Sequence, residues 1–371
     1  MEMNIFDLSA FLNLGPEAAE QSEELQKQCK EMAECMHKTG ILIIRDPRVS
    51  VEDNEKFLSN MEAYFAQPDE DKLKDSRPEL HYQVGSTPSY VEVPRCSKDP
   101  ECMAKIDSMP EEHKAHKPVG PDAKERFFWR MGEPPKETEF PALNAPPVVP
   151  ANFPDWATTM NSWGHKMLDA IYATSEMLAM GLDLPRRTFL DLMQHAPHLL
   201  APTGTDLLKH RQLDTIYAGF HYDLSFLTIH GRSRVPGLFV WLRSGEKQLV
   251  RVPEGCLLIQ AGKQMEILTG GYVEAGYHEV VCCEETLAAI RRLQEERRKK
   301  EKTEGTAEAE LPLWRVSTTL FSHIASDQVL RPLGKFGEDE AVREKYPPIK
   351  TGDQVQRELR AINLAAASSS M

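Results

Sequence analysis

The chain has 371 residues, 41% of them apolar, and its 44 basic and 57 acidic side chains leave a net charge of −13. That length suits one large domain or two small ones, and the apolar fraction is that of an ordinary globular protein. The acidic balance argues against nucleic acid or an anionic membrane as a partner, and no apolar run approaches the roughly 18 residues a membrane-spanning helix requires.

Asn4 to Leu8 reads as a short first strand. From Glu17 to His37 the apolar residues Leu25, Cys29, Met32, Ala33 and Met36 recur at helical spacing, and Gly40 stops that helix. Ile41-Leu-Ile-Ile44 is a buried strand. Ser50, three residues before Asp53, forms a capping-box pattern that opens a second helix with the stripe Phe57, Leu58, Met61, Tyr64 and Phe65, ended by Pro68. Residues 70–150 are rich in Pro, Lys and Glu and weakly periodic, which predicts loops and short helices. The aromatic islands His81–Gly85 and Phe127–Arg130 read there as local packing. Trp156, Met160, Trp163, Met167, Ile171 and Leu178 space out a long helix ending at Gly181, and Pro185 opens a short one through Met193.

From about 200 to 325 the chain turns β-rich, with short strands and turns that suit a double-stranded jelly roll. Residues 284–310 break this pattern. Charge dominates there, the large apolar residues are Leu287, Ile290 and Leu293, and Glu295–Lys299 and Glu296–Lys300 are favourable i,i+4 pairs. This predicts an exposed helical insertion in a hairpin between two core strands. After Arg331 a loop and a short helix from Thr351 to Asn363 are expected to fold back on the barrel. The division expected is an N-terminal region over 1–150, a jelly-roll domain over 151–335 and a C-terminal extension over 336–371.

The chemistry concentrates at Ala218-Gly-Phe-His-Tyr-Asp223. In a strand, side chains alternate faces, so Tyr217, Gly219, His221 and Asp223 share one side. An imidazole and a carboxylate one pleat apart can hold a metal together, and His278, on a second β-branched run, offers a third ligand. Two His and one carboxylate form the facial triad that suits Fe(II) and leaves positions open. Arg315 and Ser317 also lie one pleat apart on one face, and a guanidinium binds a carboxylate bidentately while staying charged when buried.

These pieces follow a recognisable order. His221-x-Asp223 is followed by Pro236-Gly-Leu-Phe-Val-Trp241, by Val252-Pro-Glu-Gly255 before a buried run, by Thr269-Gly270, by His278 and by Arg315-x-Ser317. Over roughly residues 1 to 335 this resembles the isopenicillin-N-synthase-like branch of the Fe(II)- and 2-oxoglutarate-dependent dioxygenases. The resemblance implies a mostly β fold with flanking helices, built as a double-stranded β-helix (jelly roll) with an N-terminal α/β region packed on it. It implies iron held by His221, Asp223 and His278, and the distal carboxylate of 2-oxoglutarate held by Arg315 and Ser317, with Tyr217 as a further candidate donor. It also implies O2 as co-substrate, leaves ascorbate open as a reductant, and draws pocket walls from residues 70–150. The implied reaction hydroxylates or desaturates a small organic molecule and releases succinate and CO2. Asp223 argues against halogenation, where the carboxylate ligand is missing.

Two departures stand out. Glu279 follows the distal His where the family usually has Arg, and it is expected to point away from the metal. His278 to Arg315 is a longer spacing than usual, attributed to the insertion; Arg291 and Arg292 would be fallbacks, but no Ser follows either at the right offset. Alternatives are an oxidase of the same fold that does not use 2-oxoglutarate, a non-catalytic small-molecule receptor, and a cupin-like zinc protein. The opening residues show no secretory signal. The seven Cys are scattered, form no Cys-x-x-Cys pair and are odd in number, so free thiols in a reducing compartment, the cytoplasm, are expected. Ser369-Ser-Met371 lacks the basic middle residue of a peroxisomal tripeptide and reads as a frayed tail. A monomer acting on a small molecule, without nucleic acid or membrane partners, is the expectation.

Overall fold

The computed structural model describes residues 4–304 and 313–364. Its strands are β1 (Ile5–Asp7), β2 (Ile41–Arg45), β3 (Gly85–Thr87), β4 (Glu125–Met131), β5 (His198–Asp206), β6 (Ile216–Tyr222), β7 (Leu227–His230), β8 (Leu238–Trp241), β9 (Lys247–Leu249), β10 (Leu257–Ala261), β11 (Tyr277–Val281) and β12 (Trp314–Ser322), with a separate two-stranded sheet of β13 (Val329–Leu330) and β14 (Ile349–Lys350). One sheet has eight strands in the order β1-β2-β10-β7-β12-β5-β4-β3, and a second has four in the order β6-β11-β8-β9. This is a double-stranded β-helix core with flanking helices, its two sheets not joined into a closed barrel.

Alternation along the strands of the large sheet decides which side packs and which side works. Trp314, Val316 and Leu320 of β12 join Leu42 and Ile44 of β2, Ile259 of β10 and Leu200 of β5 in the main core. That core also takes the apolar stripes of the helices Glu23–Thr39, Val51–Phe65 and Trp156–Gly181. Arg315, Ser317, Thr319 and Phe321, on the opposite side of β12, line a cavity that also receives residues of β6, β8 and β11. The site therefore lies between the sheets, while the helices brace the back of the large one.

Local signals set the boundaries. Gly40 ends the Glu23–Thr39 helix at φ 72°, a left-handed conformation that favours glycine. Ser50 and Asp53 form the reciprocal capping box of the Val51–Phe65 helix. Glu17–His37 is not one helix: Ser22 ends Pro16–Gln21 and caps Glu23–Thr39, its hydroxyl accepting from the Leu25 N–H at 3.3 Å. The second short helix is Thr188–Leu192, with Pro185 ahead of it in a turn.

Four expectations need correction. The Phe127–Arg130 island is not loop packing but part of β4, which runs antiparallel to β5 inside the large sheet. The segment between His278 and Arg315 is not an insertion in a hairpin: β11 belongs to the small sheet and β12 to the large one, so it crosses between sheets. Nor is its helix, Glu284–Glu304, a solvated excursion throughout. Ala289 and Ile290 are buried with Leu207, Tyr217, Val235, Cys282 and Leu313, and Leu287 and Leu293 pack against them. Thr286 is fully buried and donates to the Pro236 carbonyl at 3.1 Å. Residues 305–312 of the segment lie outside the described residues. Finally, Cys96 is bonded to Cys102 in the same apolar cluster, since an odd cysteine count does not prevent one local pair; the other five are free.

The helix Thr351–Ala361 does return to the core. Glu358 reaches Arg95 at 2.6 Å and the Tyr222 hydroxyl at 3.2 Å, and Leu359, Ile362 and Leu364 close one side of the cavity.

Candidate metal centre

His221 near the end of β6 and His278 on β11 are direct partners in the register of the small sheet, and their ring centroids lie 4.2 Å apart. Asp223 sits just past β6. One oxygen, Oδ1, lies 3.8 Å from Nε2 of His221 and 3.8 Å from Nε2 of His278. Its other oxygen accepts the Thr228 hydroxyl at 2.6 Å. Nδ1 of His221 faces the Gly219 carbonyl at 2.6 Å and Nδ1 of His278 the Gly276 carbonyl at 3.3 Å. Each ring thus donates from Nδ1 to a backbone oxygen and presents a bare Nε2, the tautomer that metal-binding imidazoles need. The three ligand atoms all lie within 4.8 Å of one another, and this is the one such metal-holding cluster found among the described residues.

Electrostatics agree with a cation site. Burial first, then the neighbouring His278 and Lys124, hold the His221 imidazole well below its usual range, so it is neutral at pH 7. Burial works against ionisation of Asp223, yet the two imidazoles and the Thr228 hydroxyl hold it below the ordinary carboxylate range. Two imidazole nitrogens and one anionic oxygen converging in a buried wall fit a divalent first-row metal such as Fe(II).

Arg315 and Ser317 line the same cavity. Arg315 is 7% exposed, its Nε donates to the Pro236 carbonyl at 3.3 Å, and no carboxylate among the described residues pairs with it. Burial pushes its pKa down to about 10, so it remains a cation at pH 7. An unneutralised buried guanidinium fits the far carboxylate of a dicarboxylic acid. Ser317 stands beside it, its hydroxyl 3.1 Å from that of Thr319.

Tyr217 is elsewhere. In the pairing of β6 with β11, His278 to Val280 spans two residues while His221 to Ala218 spans three, so β6 carries an extra residue. That bulge reverses the alternation. Ala218 lines the cavity, whereas Tyr217 donates to the His210 carbonyl at 2.7 Å in the cluster that holds Cys282. Glu279 faces away from the cavity, fully buried, where it accepts from the N–H and Nδ1 of His116 and from Lys247 at 2.7 Å. Arg292 lines a neighbouring hollow near Arg315 but pairs with Glu296, and neither it nor Arg291 lines the site.

Sequence reasoning missed a second group. Glu92, Asp122, Lys124 and Arg126 all line the cavity, and an ion-pair chain connects them. Lys124, Arg126 and Phe128 stand at alternate positions and share the cavity side, but the run of three charged residues followed by two aromatic ones carries no alternation that would have shown this in the sequence.

Comparisons with known proteins bear on the same stretch. Residues 200–295, which include His221, Asp223 and His278 but not Arg315 or Ser317, match the model of the 2OG-Fe(II) oxygenase superfamily. No curated protein sequence matches the chain. Among solved structures, a 2OG-Fe(II) oxygenase family protein from Caulobacter crescentus is similar over 97% of this chain and 99% of its own, at 21% identity and TM-score 0.69. A full-length Neurospora crassa protein in complex with alpha-KG and thymine covers 97% of this chain and 96% of its own, at 17% identity and TM-score 0.69. The rice dioxygenase for auxin oxidation covers 99% and 100%, at 15% identity and TM-score 0.62. At these identities the likeness to the solved structures is one of fold.

Proposed function

We propose, since this chain belongs to the 2OG-Fe(II) oxygenase superfamily, that it hydroxylates or desaturates a small organic molecule while converting 2-oxoglutarate to succinate and CO2. The isopenicillin-N-synthase-like branch is consistent with this membership. The carrying observation is the convergence of Nε2 of His221, Nε2 of His278 and Oδ1 of Asp223 on the wall of a cavity that also contains the unpaired Arg315. His221, Asp223 and His278 would hold Fe(II), and Arg315 with Ser317 would hold the distal carboxylate of 2-oxoglutarate. When bound, these two cofactors supply the O2-activating chemistry. The protein's own work is positional. Gly219 and Gly276 fix the imidazole tautomers, Thr228 fixes the carboxylate, and Leu359, Ile362 and Leu364 shield the cavity from water. A small-molecule substrate is consistent with the net charge of −13, which disfavours nucleic acid. No helix among the described residues is long and apolar enough to cross a membrane. For the compartment, the five free cysteines favour a reducing one such as the cytoplasm, while the Cys96–Cys102 bond counts against it.

The test is anaerobic titration of the Fe(II) protein with 2-oxoglutarate, following the metal-to-ligand charge-transfer band. Asp223→Ala is expected to bind no Fe(II). Arg315→Ala should lose roughly two to four decades of 2-oxoglutarate affinity, the equivalent of breaking a buried charge pair at about 3–5 kcal/mol. Ser317→Ala should lose less, about 1–3 kcal/mol. No band in the unmutated protein would point to an oxidase that dispenses with 2-oxoglutarate, and unchanged affinity in Arg315→Ala would remove that residue from the site.

A further inference from the structure

Arg126, on β4, is 7% exposed, and its Nε and Nη2 have no hydrogen-bond partner among the described residues. A buried donor left unpaired is costly, more so on a charged group, and so calls for a ligand or a function. These two nitrogens are not scattered. In a guanidinium, the N–H bonds of Nε and Nη2 point the same way along one edge, the edge that grips a carboxylate side-on. Nη1, outside that edge, is the nitrogen in use: it forms an ion pair with Glu92 at 2.6 Å.

The surroundings hold this edge still. The guanidinium carbon lies 4.1 Å from the centre of the Phe128 ring, one pleat along the same strand. Glu92 also pairs with Lys124 at 2.9 Å, Lys124 with Asp122 at 2.7 Å, and Asp122 accepts the Gly219 N–H at 3.0 Å. The chain of ion pairs thus ends on the strand that carries His221. Despite burial, which opposes it, Arg126 and Lys124 drive the Glu92 pKa down to about 2, so the clamp on Nη1 stays charged across the working range.

Register separates this edge from the co-substrate residues. Arg126 pairs with Thr203 across β4 and β5, and Thr203 pairs with Ser317 across β5 and β12. The three side chains form one row on the cavity wall, with Arg126 two strands from Ser317 and therefore about 10 Å away at the backbone. Phe128, Leu199, Ala218 and Phe321 give the same cavity an apolar share of its lining, alongside the charged chain of Glu92, Lys124 and Asp122 that runs to the His221 strand.

We propose that the Nε–Nη2 edge of Arg126 is the substrate anchor, and that the substrate is a small organic acid whose carboxylate docks there while its apolar body extends toward His221, Asp223 and His278. This rests on the oxygenase reading above and names its substrate class. Two parallel N–H donors call for two acceptor oxygens, which a carboxylate supplies. A primary amide offers one oxygen and sets its own NH2 against the second donor.

The experiment uses the full-length protein loaded anaerobically with Fe(II) and 2-oxoglutarate, with matched pairs of small aryl and alkyl carboxylic acids and their primary amides as probes. Binding is read from perturbation of the charge-transfer band. Acids are expected to bind better than their amides. Arg126→Lys, which keeps the charge but loses the edge, should weaken acid binding roughly 10- to 100-fold, the equivalent of about one charge-assisted hydrogen bond. Its affinity for 2-oxoglutarate and the unperturbed band should stay as in the parent, which also reports a folded site. The proposal is overturned if no acid binds, if amides match acids, if Arg126→Lys binds acids as the parent does, or if Arg126→Lys instead loses 2-oxoglutarate. Absence of the band in the parent protein is a different failure, that of the oxygenase reading itself.

Discussion

Asp223 divides its two oxygens between two tasks, and Thr228 is the residue that enforces the division. With Oδ2 held by the Thr228 hydroxyl at 2.6 Å, Oδ1 is left facing both imidazoles. Thr228→Val preserves the side-chain shape and removes the hydrogen bond. It is expected to weaken Fe(II) affinity by about 10- to 100-fold, as loss of a ligand-orienting partner typically does. Anaerobic competition against a chelator measures this, and parental affinity in the variant would mean that Asp223 needs no such support. Thr228 was invisible in the sequence because a threonine in a strand is unremarkable until its neighbour is known. The convergence of His221, Asp223 and His278 was legible because their residue types and order suggest a shared metal site. Tyr217 was misread for a physical reason. Strict two-residue alternation assumes an unbulged strand, and the extra residue between Ala218 and His221 breaks it.

Among the elements, the Glu284–Glu304 helix shows how composition can mislead. Its charge suggested a solvated arm, yet the few apolar residues in its first half sit on one side and seal the cluster around Tyr217 and Cys282. Ile290 is 3% exposed, so Ile290→Ala should destabilise the protein by about 2–4 kcal/mol, with loss of transfer free energy and an unfilled cavity both contributing. Arg298, exposed farther along the same helix, should tolerate alanine within about 0.5 kcal/mol. Urea midpoints of the two variants make the comparison, and an equal effect would show that the helix is not anchored by its first half. β4 was missed for the opposite reason. Its run Glu-Arg-Phe-Phe-Trp-Arg-Met131 places charged Arg126 on the cavity side, so it lacks the polar-out pattern of a surface strand. The helices Val51–Phe65 and Trp156–Gly181 were read correctly because a core-facing stripe at helical spacing is a local signal.

For the whole molecule, buried neutral imidazoles set the acid limit. His198 is 1% exposed, its Nδ1 accepts the His323 N–H at 3.1 Å, and burial, aided by nearby His323 and Arg130, pushes its pKa down to about 3. The unfolded chain binds a proton near pH 6.5 and the folded one does not, so stability is full above that pH. It falls by up to about 1.4 kcal/mol per pH unit for this group as the pH drops from about 6.5 toward 3. Urea midpoints between pH 7 and 4 should show the fall, and His198→Asn should reduce its slope, leaving the share of the other buried imidazoles, His221, His230 and His323; an unchanged slope would assign the acid sensitivity elsewhere. Class and order of elements were legible at this scale, but the sheet order was not, because strand pairing joins segments far apart in sequence. One such pairing also sets a timetable. β2 lies between β1 and β10, with Ile41 opposite Gln260. As a ribosome releases the chain from its N-terminus, β2 therefore waits with one edge unpaired until β10 has emerged, and Thr351–Ala361 arrives later still. Nascent chains arrested before Leu257 should be cut readily by protease within residues 1–65, and protection there would show that this end folds alone. The pocket is then a late product of synthesis, complete only after β10, β12 and Thr351–Ala361 have all emerged.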